Sequence, residues 1–467
     1  MSLRSIFTTS SLFLLLLGGL TCRPVSAVEE SPIDREAEAL FIEYLRLDTT
    51  NPPGNETAGA HFFERLLQKE SIPSRLLGED SQRLSIYARL ESGRDAPALL
   101  LLHHLDVVPA NPAEWSVPPF EGRKAGGYIW GRGALDAKSL GIAHFMAFID
   151  LARKRASLQR DVIFLGVADE ETGGMKGMAR LLEIHPELFA DVGWVLNEGG
   201  ANETIVDRNV GWGIEIDQKV PLWLRLVARS RGGHGAVPSI DGGSAMKLTR
   251  AIVAISDIAA PWTLTPSVKA HMASVGKRRS GLRGEIYRDP SRFFGTPSMA
   301  EVPDGAAALM RNTVAVTMLE AGSSVNVIPT VATALLDVRL VPGSDSDEFL
   351  NKVREAAGEL AEVEVILQAR AAPPSPTNTE LFRTISAAAI ESSPGSAITP
   401  FVTAGTSDSR FFRSKGITAY GFSPFKVNYM DGPRSHGIDE RIKAKFFSEG
   451  VGLMREIVRR AVTRPAP

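Results

Sequence analysis

The acids and histidines of this chain that stand at abrupt changes in hydropathy follow one pattern. Leu99-Leu-Leu-Leu-His-His104-Leu-Asp106 is an apolar run that ends in His-x-Asp. Asp161-Val-Ile-Phe-Leu-Gly-Val-Ala168 runs directly into Asp169-Glu170-Glu171, and Val192-Gly-Trp-Val-Leu-Asn197 into Glu198-Gly199-Gly200. Asp136 closes Gly131-Arg-Gly-Ala-Leu ahead of a helical pattern, and His436-Gly437 precedes the last amphipathic stretch. Apolar runs of this length are predicted to be buried strands. In open α/β sheets, ligands bind on the rim just beyond the strand ends. Gathered on one rim, His104, Asp136, Glu170, Glu171, Glu198 and His436 offer two imidazoles and several carboxylates, a set suited to zinc or another first-row divalent ion. Three consecutive acids at an apolar strand end repel one another unless a cation neutralises them. Two divalent ions with Asp136, Glu171, Glu198 and one hydroxide carry no net charge, which a partly buried site tolerates. Paired metals of this kind are a hydrolase design. Asp106 has the position of a carboxylate that orients a ligating ring. Without that chemistry, Asp136 reads as a helix cap and the acids at 169 to 171 as a solvated turn before a helix N-terminus.

The intervening segments must form the elements that hold these groups. Helical spacing over 34–47 and 56–70 is broken by Asn51-Pro-Pro-Gly54, and strands are predicted at 83–90 and 98–103. A helix over 139–155, with Ile142, Phe145, Met146 and Ile149 on one face, separates the first two motifs. Strand and helix alternating over 72–212 predict a mostly parallel sheet with helices on both faces. From 216 to 372 alternating strands with two helices predict an inserted α+β sandwich, a lid or dimerisation domain. Residues 271–312, rich in Arg, Gly and Pro, break its period and are expected to be an extended loop. The expected organisation is therefore a catalytic domain in two parts, 28–215 and 373–467, around that insert.

Composition bounds the function classes. The chain has 467 residues, 44% hydrophobic and 23% charged, with a formal net charge of −2. Nothing in that balance calls for nucleic acid or an anionic membrane as partner. Residues 1–27, with Arg4, the apolar run from Leu12 to Leu20 and Val25-Ser-Ala27, read as a secretory signal removed in a secreted or periplasmic protein. Cys22, the only cysteine, falls within it, so the mature chain is expected to lack thiols and disulfides.

Taken in order, His104-Leu-Asp106-Val-Val-Pro109, Gly131 to Lys138, Asp169-Glu-Glu-Thr-Gly-Gly174, Asn197-Glu-Gly199, Gly233-His234, Asn326-Val-Ile-Pro329, Gly405-Thr-Ser-Asp408 and His436-Gly437 span nearly all the mature chain. The chain resembles the dinuclear zinc peptidases and amidohydrolases that include carboxypeptidase G, aminoacylase, carnosinase, acetylornithine deacetylase and succinyl-diaminopimelate desuccinylase. The resemblance implies two Zn2+ per chain, replaceable by Co2+ or Mn2+. One ion would be held by His104 and Glu198, the other by Glu171 and His436, with Asp136 bridging and the bond after Asp136 cis. Glu170 is then the general base for a water bridging the ions, and Asp106 supports His104. His234, otherwise a solvated loop residue, is implied to stabilise the oxyanion in the partner subunit of a homodimer. Asn326, Arg339, Gly405, Thr406 and Ser407 are implied to contact substrate, although Arg339 alone also reads as a surface cation. His103 faces the other way from His104 and is expected to be a packed neighbour. The expected reaction is hydrolysis of an amide in a peptide or N-acyl amino acid. The alternative is a non-catalytic metal-binding protein that kept the fold.

Overall fold

The computed structural model describes residues 31–258, 260–428 and 430–463. The expected signal segment and Cys22 lie outside them. A nine-stranded sheet forms the centre of the larger part. Four neighbouring strands at its middle, Val162–Val167, Ala98–His104, Val192–Asn197 and Thr418–Gly421, run parallel. Ser74–Leu77 and Ser85–Leu90 add on antiparallel at one edge. Alternation along Ala98–His104 feeds two cores. Leu99 and Leu101 pack with Phe145, Met146 and Phe447, whereas Leu100 and Leu102 pack with Met178, Leu181 and Phe412. Helices therefore cover both faces, as a parallel sheet requires.

The helix expected over 139–155 is Lys138–Arg153, and it is buried on every side rather than along one stripe. Helices Pro32–Leu45 and Ala444–Val462 pack on its outer side. A helix apolar all round is what a position between a sheet and further helices selects.

A second sheet holds Thr313–Ala321, Val331–Leu340, Val220–Arg229 and Glu362–Gln368 in spatial order, all antiparallel. Helices Gly243–Ser256 and Ser346–Ala357 cover one face around Leu224, Leu336, Val338 and Val353. Arg208–Gln218 still belongs to the large sheet, so the chain crosses between sheets at Lys219.

Residues 271–312 correct the sequence expectation. They are not an extended loop but part of a helical layer made of Pro266–Gly276, Gly281–Arg288 and Asp304–Leu309 with two 3-10 turns. Their core of Val268, Met272, Ile286, Met299 and Met310 includes Val402 of the strand Ala397–Thr403 in the large sheet. Breaks at Gly276, Pro290, Pro297 and Pro303 keep each helix too short to show a sustained period. Thr265 caps the first by accepting from the Val268 N–H.

His271 ties this layer to the sheet, its Nδ1 accepting from the Val402 N–H at 3.2 Å. Burial lowers its pKa from the usual 6.5 to about 4. Between those values the unfolded chain binds a proton that the folded chain does not, so stability is full above pH 6.5 and falls as the pH drops toward 4. The loss at the acid end amounts to roughly 3 kcal/mol. Urea unfolding at pH 7 and pH 4.5 should show it, and His271→Gln should flatten that part of the profile.

Candidate metal centre and active site

Three parallel strands end on the same rim and deliver the predicted acids and histidine. His104 closes its strand with Nε2 at 3.2 Å from Asp136 Oδ1 and 3.4 Å from Glu198 Oε2. His436 Nε2 lies 3.2 Å from Asp136 Oδ2 and 3.2 Å from Glu171 Oε2. Asp136 thus stands between the two imidazoles, one oxygen toward each. It is not a helix cap: Ala137 occupies the cap position of Lys138–Arg153, which has no side-chain cap. The Asp136-Ala137 peptide bond is cis.

The three consecutive acids separate by direction. Asp169, in the left-handed region at φ 73°, turns away to pair with Arg83 and to accept from the Lys176 N–H at 2.7 Å. Glu170 and Glu171 turn inward, on a 3-10 turn held by Asp106. The Asp106 carboxylate accepts from the Glu170 N–H at 3.3 Å and the Glu171 N–H at 3.0 Å. It also lies 3.5 Å from His104 Nδ1, which is 2.9 Å from the Asp106 carbonyl oxygen. Asp106 therefore fixes two elements of the site together.

Charge in this cluster is unbalanced among the protein groups alone. Burial, with Glu198 close by, pushes the Glu170 carboxyl well up, and burial pushes Glu198 to about 7. Burial acts to raise Asp136 too, but hydrogen bonds from His104 and His436 override it and hold the carboxyl well below its ordinary range. Hydrogen bonds to Asp136 and Glu171 raise His436 to about 10. Glu170 Oε1, Glu171 Oε1 and Glu198 Oε1 are buried without a hydrogen-bond partner. Ligand atoms of His104, Asp136 and Glu171 lie within 4.8 Å of one another, as do those of His104, Glu170 and Glu198. Orphaned buried carboxylate oxygens around shared imidazoles fit a divalent cation, which would satisfy the oxygens and compensate their charge.

A cavity of about 570 Å³ opens over these groups, lined by Asp136, Glu170, Glu171, Glu198 and His436 on one side. Arg339, Trp223, Gly405, Thr406 and Ser407 line the other side. Arg339 lies 5.5 Å from the Trp223 ring centroid and donates to Asp337, while its Nη1 is buried and unpartnered. Arg410 secures the 405–407 turn, donating to the Ser407 carbonyl at 2.9 Å and Thr406 Oγ1 at 3.1 Å. It also reaches the Gly173 carbonyl at 2.5 Å, beyond the acidic turn. His234 and Asn326 do not line this cavity. Both are exposed, His234 on the ribbon that pairs Gly233 with Ile328 and His234 with Val327, and Asn326 just ahead of its second strand. His103 is buried between Phe63 and Phe164 with both ring nitrogens unpartnered.

Residues 100–460 match the model of peptidase family M20/M25/M40. The chain belongs to this family. Among curated relatives, it is 27% identical over 429 residues to the N-fatty-acyl-amino acid synthase/hydrolase PM20D1 of Xenopus tropicalis, covering 87% of this chain and 80% of that protein. It is also 27% identical over 440 residues to aminoacylase-1 of Sus scrofa, covering 91% and 95%. Among solved structures, the M20 metallo-carboxypeptidase Sso-CP2 of Sulfolobus solfataricus aligns with a TM-score of 0.72 at 22% identity, covering 91% and 98%. These are hydrolases of the peptidase and amidohydrolase type, and the family is metal-dependent.

For this M20/M25/M40 chain, three supporting residues escaped the sequence patterns. Glu440 is fully buried and accepts from the N–H groups of Gly133, Leu135 and Asp136 at 2.9, 2.6 and 3.1 Å. Its charge is met by Arg132 at 2.6 Å. It thereby sets the loop that presents Asp136. Asn51 donates to Asp106 at 2.8 Å, and Arg83 pairs with both Asn51 and Asp169 behind the acidic turn. For Asn51 the unusual Asn-Pro-Pro-Gly sequence was a signal of fixed backbone, though not of this contact.

Proposed function

We propose that this protein hydrolyses an amide bond beside a free carboxylate, in an N-acyl amino acid or a short peptide. The observation that carries the proposal is Glu170, buried against the clustered ligands with an unpartnered oxygen, across the cavity from the free Nη1 of Arg339. His104 and Glu198 would hold one zinc ion and Glu171 and His436 a second, sharing Asp136, with cobalt or manganese as substitutes. Bound there, such ions polarise a carbonyl and make water nucleophilic near neutral pH. Glu170 takes a proton from the attacking water as the C–O bond forms and passes it to the nitrogen as the C–N bond breaks. Arg339, steadied by Asp337 and Trp223, pairs with the substrate carboxylate. A panel of N-acyl amino acids and dipeptides, scored for released amine with zinc, cobalt and manganese, tests the proposal. It fails if metal-loaded protein releases amine from none.

Arg339→Ala removes a charged hydrogen bond to the carboxylate, which contributes about 1.5–3 kcal/mol. KM should rise about 10–100-fold with kcat within a fewfold, since the interaction is uniform through the reaction.

We further propose that the active form is a homodimer, with His234 acting in the partner's site. Its exposure and its absence from the lining of its own chain's cavity support that. So does the edge strand Thr313–Ala321, where Val316, Met318 and Leu319 are 44%, 50% and 62% exposed. His234→Ala and Glu170→Gln should each be inactive alone, whereas co-refolded mixtures should regain activity from sites that combine both intact groups. No recovery on mixing contradicts the shared site. Residues 1–27 are proposed to direct secretion or periplasmic export, so the mature N-terminus should follow Ala27.

A further inference from the structure

Behind the 405–407 turn stands a polar side chain of the large sheet. Gln218, the last residue of Arg208–Gln218, is 6% exposed and meets the turn with both atoms of its amide. Its Nε2 lies 2.6 Å from Thr406 Oγ1 and 3.3 Å from the Ser407 carbonyl oxygen. Its Oε1 lies 3.3 Å from Ser407 Oγ and 3.3 Å from Arg413 Nη1. A carbonyl only accepts and a guanidinium only donates, so the amide has one orientation here, nitrogen toward Ser407 and oxygen toward Arg413. That orientation sorts the two hydroxyls of the turn. Ser407 donates its proton to Gln218 Oε1. Thr406 Oγ1 instead accepts twice, from Gln218 Nε2 and from Arg410 Nη1 at 3.1 Å. Both of its lone pairs are then engaged, and only its proton is left to offer. No acceptor for that proton stands among the described residues, and Thr406 lines the catalytic cavity.

We propose that Gln218 is a positioning residue that makes Thr406 a dedicated hydrogen-bond donor to the substrate carboxylate. The inference rests on the hydrolase reading above and adds a determinant of specificity to its site. Arg339 lines the same cavity, with its Nη1 unpartnered. A group received by both must accept two hydrogen bonds, as a carboxylate does and an ammonium group does not. Gln218 itself is absent from the cavity lining and acts only through the turn. The next residue steadies the same segment from its other end, the Lys219 N–H donating to the Thr403 carbonyl at 3.1 Å. A hydroxyl held from behind by two donors meets the substrate without first giving up a partner, which is the advantage of preorganisation.

The test is a double-mutant cycle read as KM and kcat of the metal-loaded enzyme on one substrate from the panel above. Gln218→Glu keeps the shape of the side chain and its contact with Arg413, but its carboxylate takes the Thr406 proton away from the substrate. KM should rise about 10–100-fold with kcat within a fewfold, the loss of one hydrogen bond to a charged group. Thr406→Val should raise KM by a similar factor, whereas Thr406→Ser, which keeps the hydroxyl, should leave KM near that of the unaltered protein. Gln218→Met removes the donor without adding a charge and should raise KM about 3–10-fold. It also carries the cycle if the acidic variant does not fold. Added to Thr406→Val, either Gln218 change should raise KM no more than about twofold further, because its effect passes through a hydroxyl that is gone. A purely structural Gln218 would instead lower kcat or stability and leave the factors independent. Factors that multiply for both Gln218 changes, or a KM unmoved by either, overturn the assignment alone. An unaltered protein that hydrolyses no member of the panel overturns the hydrolase reading beneath it as well.

Discussion

Glu170→Gln is expected to lower kcat by about 10²–10⁴-fold while the protein keeps its fold and its metal content. Gln has the shape of Glu, and the backbone N–H at this position still donates to Asp106. What disappears is the group that takes and returns a proton. KM should move little, because the loss is confined to the transition state. Amine release gives the rate, and elemental analysis of the purified variant gives the metal. Glu171→Gln is the informative companion: a lost ligand should reduce bound metal and activity together. Near-normal turnover in well-folded Glu170→Gln would remove Glu170 from the mechanism.

Glu440→Ala is expected to be the most destabilising single change near the site. It strips three backbone N–H groups of their acceptor and leaves Arg132, 2% exposed, as a buried unpaired charge. Breaking a buried pair from one side costs about 3–5 kcal/mol. Urea titration should show that loss, with weaker metal retention because the loop carrying Asp136 is no longer fixed. The double change Arg132→Met with Glu440→Leu should recover part of the stability, since neither partner is then a stranded charge. Metal retention should not recover with it, because the N–H groups of Leu135 and Asp136 stay unmet. Equal stability of Glu440→Ala and the unaltered protein would show that water replaces the carboxylate freely.

The contrast between these two residues shows what a sequence displays and what it conceals. Glu170 was legible because an apolar strand stops at it, and strand ends are local in sequence. The same holds for His104, Glu171 and Glu198, each at the end of its own parallel strand. Glu440 was not legible, because its partner Arg132 is 308 positions away and neither sits on a periodic pattern. Asp136 was ambiguous for a physical reason: an acid before a helix is favourable as a cap, and only the fold shows its two oxygens turned to His104 and His436. The helical layer at 266–310 was hidden by its own brevity, since helices broken by Gly and Pro present no long hydrophobic repeat. The second sheet was visible as alternation, and His234 read as a solvated loop residue, but its place on a short ribbon outside the cavity lining followed only from the fold.

On the proposed reading, the clustered acids and imidazoles bind metal in order to hydrolyse an amide. The most direct measurement is amine release from an N-acyl amino acid as zinc is titrated into chelator-stripped protein, with bound metal counted per chain. Activity that appears with binding and levels at two ions per chain is the predicted result. Full activity in the stripped protein, or none with both ions bound across the substrate panel, would contradict it.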